Sequence, residues 1–459
     1  GAGTADKLVL STVATNVAAT AFTNVSGVEV LELKATTGAQ NVTLGAGFTT
    51  VDASVATAEV TIDGATTSSL NLSKVTTGTA ADTLKIEAGD LSSTDEFNLG
   101  DGSTDTLEIL GAGATDGTSS TPNNNITDAK IAHVTNTEIL KITNSNDAVS
   151  ITLGANASAN GFTKVDASST ASVNTINVSS MTTNIQVVGG TGSDIITAGS
   201  ANNTISAGSG NDQVTISASS LDANDSIDGG AGVDELILTG STTSTTSFAN
   251  ITGFESIKLA NGNNQEVVLD ASADTNNILK VDASNIASGN SVIVDTTGYE
   301  IATDVDNFTY IGGAGNDTFK MQSTHLTKDD VLDGGAGAND ILQLTTVALN
   351  SADIAIFNNV SGFEILKLAD VASNQTVTLK NGVFNTVDSS ANVSTYSQNV
   401  NASNVVGDII IKTAGGADTI TAAQGVNTIN AGAGDDIMKF NIATFTSDDI
   451  INGGTGADT

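Results

Sequence analysis

Residues 189 to 215 parse into three consecutive nonapeptides, GGTGSDIIT, AGSANNTIS and AGSGNDQVT, and residues 413 to 439 into TAGGADTIT, AAQGVNTIN and AGAGDDIMK. One further intact copy, GGAGNDTFK, spans Gly312–Lys320. These segments fit G-G-x-G-x-D-x-U-x, where U is a large apolar residue. The Gly-Asp stretch requires positive φ angles and close backbone approach, which glycine permits, and x-U-x is a three-residue strand with one inward side chain. That inward residue is Ile196, Ile205, Val214, Phe319, Ile420, Ile429 or Met438. Two nonapeptides make one coil of about eighteen residues, so turns nine apart lie on opposite edges and turns eighteen apart share an edge. Asp194 is therefore predicted to stack on Asp212, and Asp418 on Asp436. Coils about 4.8 Å apart gather carboxylates and carbonyls, and such hard oxygens select Ca²⁺ over transition metals. The candidate ligands are Gly190, Gly192, Asp194, Gly208, Gly210, Asp212, Gly313, Gly315, Asp317, Gly416, Asp418, Gly434 and Asp436. Asn203 and Asn427 replace the aspartate in the middle repeats, and no standard calcium site is expected there.

Further Gly-Asp segments recur at longer range: Gly100–Leu107, Gly229–Leu236, Gly334–Leu342 and Gly453–Thr459. They add Gly230, Gly232, Asp234, Asp340 and Asp458 as candidate ligands, and in the longer form at Gly334–Asp340 either Asn339 or Asp340 takes the ligand position. Acidic clusters lie upstream at Asp95-Glu96, Asp222 with Asp225, Asp329-Asp330 and Asp448-Asp449, followed by Asp228, Asp333 or Asn452; Asp330, Asp333 and Asp449 are taken as further ligands. Two other acids recur. Glu29, Glu138, Glu255 and Glu364 sit in the apolar segments VSGVEVLEL, VTNTEILKI, ITGFESIKL and VSGFEILKL, where they read as solvent-facing positions, with a ligand or interface role as the alternative. Asp52, Asp166, Asp282 and Asp388 in VDAS or VDSS read as turn caps or a side-chain ladder.

The elements that position these residues are short strands. Period-2 runs such as Val28–Leu33 and Val292–Val294 are punctuated every eight to twelve residues by Gly, Asn, Asp and Ser. Helical periodicity is nowhere sustained, although Ser219–Asp225 and Thr324–Asp330 suit single turns. The recurring marks divide the chain into the end of a preceding repeat (1–21), repeat 1 (22–110), a connector around Pro122 (111–125), repeat 2 (126–240), repeat 3 (241–346) and repeat 4 (347–459). Because Gly1–Leu8 aligns with part of a closing segment and Gly453–Thr459 is another, the sequence reads as a piece of a longer array.

Composition narrows the function classes. There are 459 residues, 51 acidic against 15 basic, and a net charge of −36. Every basic residue is a lysine, placed singly, so neither nucleic acid nor an anionic membrane finds a basic footprint. With 39% apolar and 14% charged residues the chain has the material for a core, but no Trp and 3% aromatics require that core to be thin and aliphatic. The absence of Cys excludes disulfides and thiolate chemistry. There is no apolar run long enough to cross a membrane as a helix. His133 and His325 do not recur, no G-x-S-x-G, H-E-x-x-H or P-loop motif is present, and no carboxylate pair stands apart as a glycosidase pair would.

The segments Gly189–Thr215, Gly312–Lys320 and Thr413–Lys439 resemble the repeats-in-toxin (RTX) calcium-binding β-roll, and the long units look like those of RTX-type bacterial surface-layer proteins. The resemblance implies an all-β, right-handed parallel β-roll or β-helix solenoid that binds several Ca²⁺ ions. It implies secretion by the type I route to the cell surface and self-association into a two-dimensional lattice. It also implies attachment to cell-surface polysaccharide or lipopolysaccharide through other regions. An adhesin or biofilm-filament stalk, and the secretion and folding module of an RTX toxin or hydrolase, are the alternatives. A non-enzymatic structural role is expected.

Overall fold

The computed structural model describes residues 5–11, 16–34, 36–45, 47–64, 70–110, 125–143, 148–241, 248–275, 277–299, 307–345, 350–351, 354–368, 375–379, 383–388, 397–413 and 415–459. The connector at 111–125 therefore lies almost wholly outside the described residues, as do the two serines of the VDSS segment. The chain forms two compact units, Gly1–Leu236 with Asn250–Phe254, and Ile237–Ala249 with Glu255–Thr459. Each is a parallel β-solenoid with very little helix.

Within the first unit one sheet runs through Gln40–Thr43, Val60–Asp63, Thr83–Glu87, Thr106–Leu110, Ile139–Thr143, Lys164–Asp166, Ile185–Val188, Asn203–Ser206 and Ser226–Asp228. Every pairing in it is parallel and in register, so Val42, Ile62, Leu84, Leu107, Leu140, Val165, Val187, Ile205 and Ile227 form one continuous aliphatic column. Each of these is at most 2% exposed. A strand of three to five residues has room for only one or two inward side chains, and β-branched and leucyl groups stack across parallel neighbours without voids. The 3% aromatic content suits this thin core.

The second unit repeats the plan along Gln265–Val268, Val292–Asp295, Thr318–Gln322, Ile341–Thr345, Ile365–Lys367, Thr386–Asp388, Ile409–Lys412, Asn427–Asn430 and Ile450–Asn452. Across the core, Tyr310 on the facing strand Thr309–Ile311 stacks on Phe319 of this sheet at 4.9 Å between centroids. The nonapeptide register is as expected. Ile196 pairs with Val214 and Ile420 with Met438, on parallel strands one coil apart.

Two short helices were not legible in the sequence, Ala155–Asn160 and Ala271–Thr275. The first is held from the preceding coil, where the Asp128 carboxylate accepts the N–H groups of Gly154 (2.7 Å), Ala157 (3.0 Å) and Asn156 (3.1 Å). That arrangement satisfies the otherwise unpaired donors of a helix start. On the outer faces of the coils, lysines pair with acids: Glu108 receives Lys85 at 3.2 Å and Lys141 at 3.8 Å, and Glu32 receives Lys7 at 2.7 Å and Lys34 at 2.9 Å.

Candidate metal sites

The Gly-Asp turns stack into carboxylate columns joined by hydrogen bonds that cross from coil to coil. In the first unit, Asp82 Oδ1 accepts the Val60 N–H at 2.7 Å, Asp105 Oδ1 accepts the Asp82 N–H at 2.6 Å, and Glu138 Oε2 accepts the Asp105 N–H at 2.8 Å. A second column runs Asn174, Asp194, Asp212, Asp234, with corresponding distances of 2.7, 2.6 and 2.7 Å. In the second unit, Val292, Asp317, Asp340 and Glu364 are linked at 2.7, 2.6 and 2.8 Å, and Gln398, Asp418, Asp436 and Asp458 at 2.6, 2.8 and 3.1 Å. Apart from Asp458, the column aspartates are at most 1% exposed.

The second carboxylate oxygen divides the aspartates into two kinds. Asp194 Oδ2 accepts the Gly190 N–H and Asp317 Oδ2 the Gly313 N–H, each at 2.7 Å, and Asp82 Oδ2 accepts the Gly78 N–H at 3.2 Å. By contrast no donor meets hydrogen-bond geometry at the buried Oδ2 of Asp105, Asp212, Asp340, Asp418 and Asp436, although the Gly102 and Gly337 N–H groups and the Thr413 hydroxyl face the carboxyls of Asp105, Asp340 and Asp418. The turn before Asp212 shows why. Gly208 adopts φ +117° and Gly210 φ +126°, a left-handed conformation open to glycine, and the Gly208 N–H no longer serves the carboxylate. A Cβ on either glycine would overlap the carbonyl oxygen of Gly190 or Gly192, so main-chain oxygens of the coil below press directly on this turn. Gly230 and Gly232 repeat the arrangement before Asp234, Gly315 and Gly337 contact carbonyls of their neighbouring coils, and Gly416 and Gly434 line the turns of Asp418 and Asp436.

Burial raises these carboxyl groups. Loss of water, with neighbouring column carboxylates adding to it, pushes Asp105, Asp212, Asp340 and Asp418 up to about 6, and burial also raises Asp82, Asp194, Asp317 and Asp436. Buried anionic oxygens without donors, next to main-chain carbonyls, are what a cation would relieve. Among the described residues no three His, Cys, Asp or Glu side chains converge, so carbonyls supply most of the oxygens around each free carboxylate atom. That donor set fits Ca²⁺, which takes six to eight oxygen ligands from carboxylates and carbonyls in flexible geometry, and it lacks the thiolate and imidazole groups typical of zinc sites.

Several sequence expectations change at this level. Glu138 and Glu364 are not simply solvent-facing: each ends a carboxylate column, and Glu29 makes the same bond to the Asp6 N–H at 3.1 Å. The reason is that a glutamate beginning the next strand reaches the N–H that an aspartate would otherwise take. In the longer closing segment it is Asp340, fully buried, that enters the column, while Asn339 is exposed. Asp330, Asp333 and Asp449 lie outside these four columns. Asp330 and Asp449 clamp their own turns through the Thr327 and Thr446 N–H groups, both at 2.7 Å, and each also crosses to the preceding coil, where Oδ1 accepts the Phe308 N–H at 2.9 Å and the Asn427 N–H at 2.8 Å; Asp333 accepts the Gly335 N–H at 3.2 Å.

Asn203 occupies the opposite edge, and its amide donates to the Ala201 carbonyl at 2.6 Å and to Asp225 Oδ1 at 3.1 Å. Asn427 does the same toward Gly425 (2.8 Å) and Asp449 (2.9 Å). Asp52, Asp166 and Asp282 cap their turns through the following serine's hydroxyl at 2.7, 2.6 and 2.6 Å. Asp82 and Asp105 were missed as column members. The signal was present in TGTAADTLK, residues 77–85, which is a nonapeptide with Thr77 at the first and Ala80 at the third glycine position.

Comparison with protein families matches residues 186–215, 220–239, 326–342, 410–439 and 445–459 to the RTX calcium-binding nonapeptide repeat (4 copies). The chain thus carries RTX-type repeats, and repeats of this kind bind Ca²⁺. No curated protein matches the chain. No helix among the described residues is long and apolar enough to cross a membrane.

Proposed function

We propose that this RTX-repeat chain is a secreted, non-enzymatic structural protein that forms a calcium-dependent paracrystalline layer on a bacterial cell surface. The observation that carries the reading is the distribution of the carboxylate columns: they recur along both units, so ions stiffen the chain along its length and do not serve one active cleft. The ligand assignment follows the columns. Asp212, Asp340, Asp418 and Asp436 offer the donor-free oxygens, Asp194, Asp234, Asp317 and Asp458 are the neighbouring rungs, and the flanking glycines expose the carbonyls.

The mechanism is metal-coupled folding. Stacked carboxylates repel and resist burial, which keeps the chain loose while calcium is scarce, and Ca²⁺ outside the cell supplies the missing charge as the coils close. With a Kd of about 1 mM and calcium at about 10 mM, each site adds about 1.4 kcal/mol. The partners are further copies of the same protein, with surface polysaccharide or lipopolysaccharide contacted by regions outside this sequence. An RTX adhesin stalk shares the solenoid, but a stalk calls for equivalent units. The units here differ, as in the Tyr310–Phe319 stack of one and the Asp128-capped helix of the other.

Negative-stain electron microscopy of the purified chain, in EDTA and after adding millimolar Ca²⁺, tests this reading. Ordered sheets formed only with calcium are expected. Calcium-dependent folding that stops at monomers or rods would move the assignment to the stalk or to a secretion module.

A further inference from the structure

We infer that the paired turns Thr77–Asp82 and Leu99–Asp105, which lie outside every segment matched to the RTX repeat, bind a calcium ion of their own. The sequence there departs from the motif at its glycines, since Ala80 stands at a glycine position and Asp101 and Ser103 interrupt the second turn. The backbone nevertheless reproduces the arrangement of the third repeat. Asp105 Oδ1 accepts the Asp82 N–H at 2.6 Å and Glu138 Oε2 the Asp105 N–H at 2.8 Å, and the Asp317–Asp340–Glu364 column has the same two distances.

An independent feature points to a ligand. Asp105 is 0% exposed and no donor meets hydrogen-bond geometry at its Oδ2, although the Gly102 N–H faces the carboxyl. That oxygen lies over Gly102, where an added Cβ would stand 2.6 Å from it and would also overlap the Ala80 carbonyl oxygen. Gly100, at φ +90°, packs in the same way on the Gly78 carbonyl, which accepts the Asp101 N–H at 2.9 Å and keeps a second lone pair. The donor set is one buried carboxylate oxygen with main-chain carbonyls, all of it hard. The choice of ion rests on the calcium reading of the matched repeats; the site itself rests on the geometry at Asp105.

The test uses the full chain and CaCl₂. Bound calcium is counted by equilibrium dialysis for the wild type and for Asp105→Asn, which keeps the Oδ1 acceptor for the Asp82 N–H but removes the charge. Amide hydrogen exchange is followed in segments 77–107 and 189–239 with and without calcium. Loss of a single equivalent in the variant, with calcium-dependent protection of 77–107 in the wild type, is expected. An unchanged count in Asp105→Asn, or a wild-type segment 77–107 that ignores calcium while 189–239 responds, overturns the site. Indifference of both segments would overturn the wider calcium reading with it. The wild-type exchange measurement does not depend on the variant folding.

Discussion

Asp212 carries the account at the scale of one residue: it is shielded from water, bonded through one oxygen, and left without a donor on the other. An anion in that position costs free energy until a cation arrives or the group takes a proton. The folded-state value of about 6 for Asp105, Asp212, Asp340 and Asp418 stands above the ordinary carboxylate value, so protonation favours the folded form. The stabilisation is complete below about pH 4 and is lost as pH rises through about 6. In EDTA the chain should therefore gain β structure on acidification from pH 7 to 4, read by circular dichroism; a flat profile would count against the burial of these groups. With saturating calcium the dependence reverses, because the ion requires the deprotonated form. Asp212→Asn should remove one site and about 1.4 kcal/mol of calcium-dependent stability at a calcium concentration ten times the Kd, while leaving stability in EDTA equal or higher. Denaturant titrations of both proteins, with and without calcium, give that difference.

The coil is the next scale, and its strength divides between an aliphatic interior and the hydrogen bonds at its edge. Leu107 lies inside the first unit's column at 0% exposure, and Leu107→Ala should cost about 2–5 kcal/mol by opening a cavity between packed neighbours. Glu138→Ala strands the buried Asp105 N–H and should cost about 1–3 kcal/mol, whereas Glu138→Gln keeps an acceptor and should cost far less. Equal losses in the two Glu138 variants, measured by urea unfolding, would contradict the terminal-rung role. The sequence made the strands and the Asp194–Asp212 stacking legible because turn glycines and inward aliphatics repeat at fixed spacing. It hid Glu138 because the bond to Asp105 spans 33 residues and depends on which coil follows which. It hid Asp82 because Thr77 and Ala80 replace glycines, and Asp105 because Asp101 and Ser103 break the glycine spacing, while the backbone retains both turns. The Ala155–Asn160 helix was illegible for a third reason: six residues cannot show a helical period, and its cap comes from Asp128 in another coil.

For the whole molecule the controlling quantity is the net charge of −36. Lysines such as Lys74, Lys85, Lys141, Lys164 and Lys320 sit against carboxylates on the coil surfaces, away from the Asp105, Asp212, Asp340 and Asp418 carboxyls of the edge columns. Self-repulsion of this size opposes compaction, and divalent ions bound at intervals along the solenoid offset it where it is strongest. The most direct test of calcium-coupled folding is a calcium titration of the full chain at pH 7, followed by far-ultraviolet circular dichroism, starting from EDTA. A cooperative rise in β signal over the millimolar range, reversed by EDTA and absent with equal Mg²⁺, is the predicted result. A spectrum already fully β in EDTA and unchanged by calcium would contradict it.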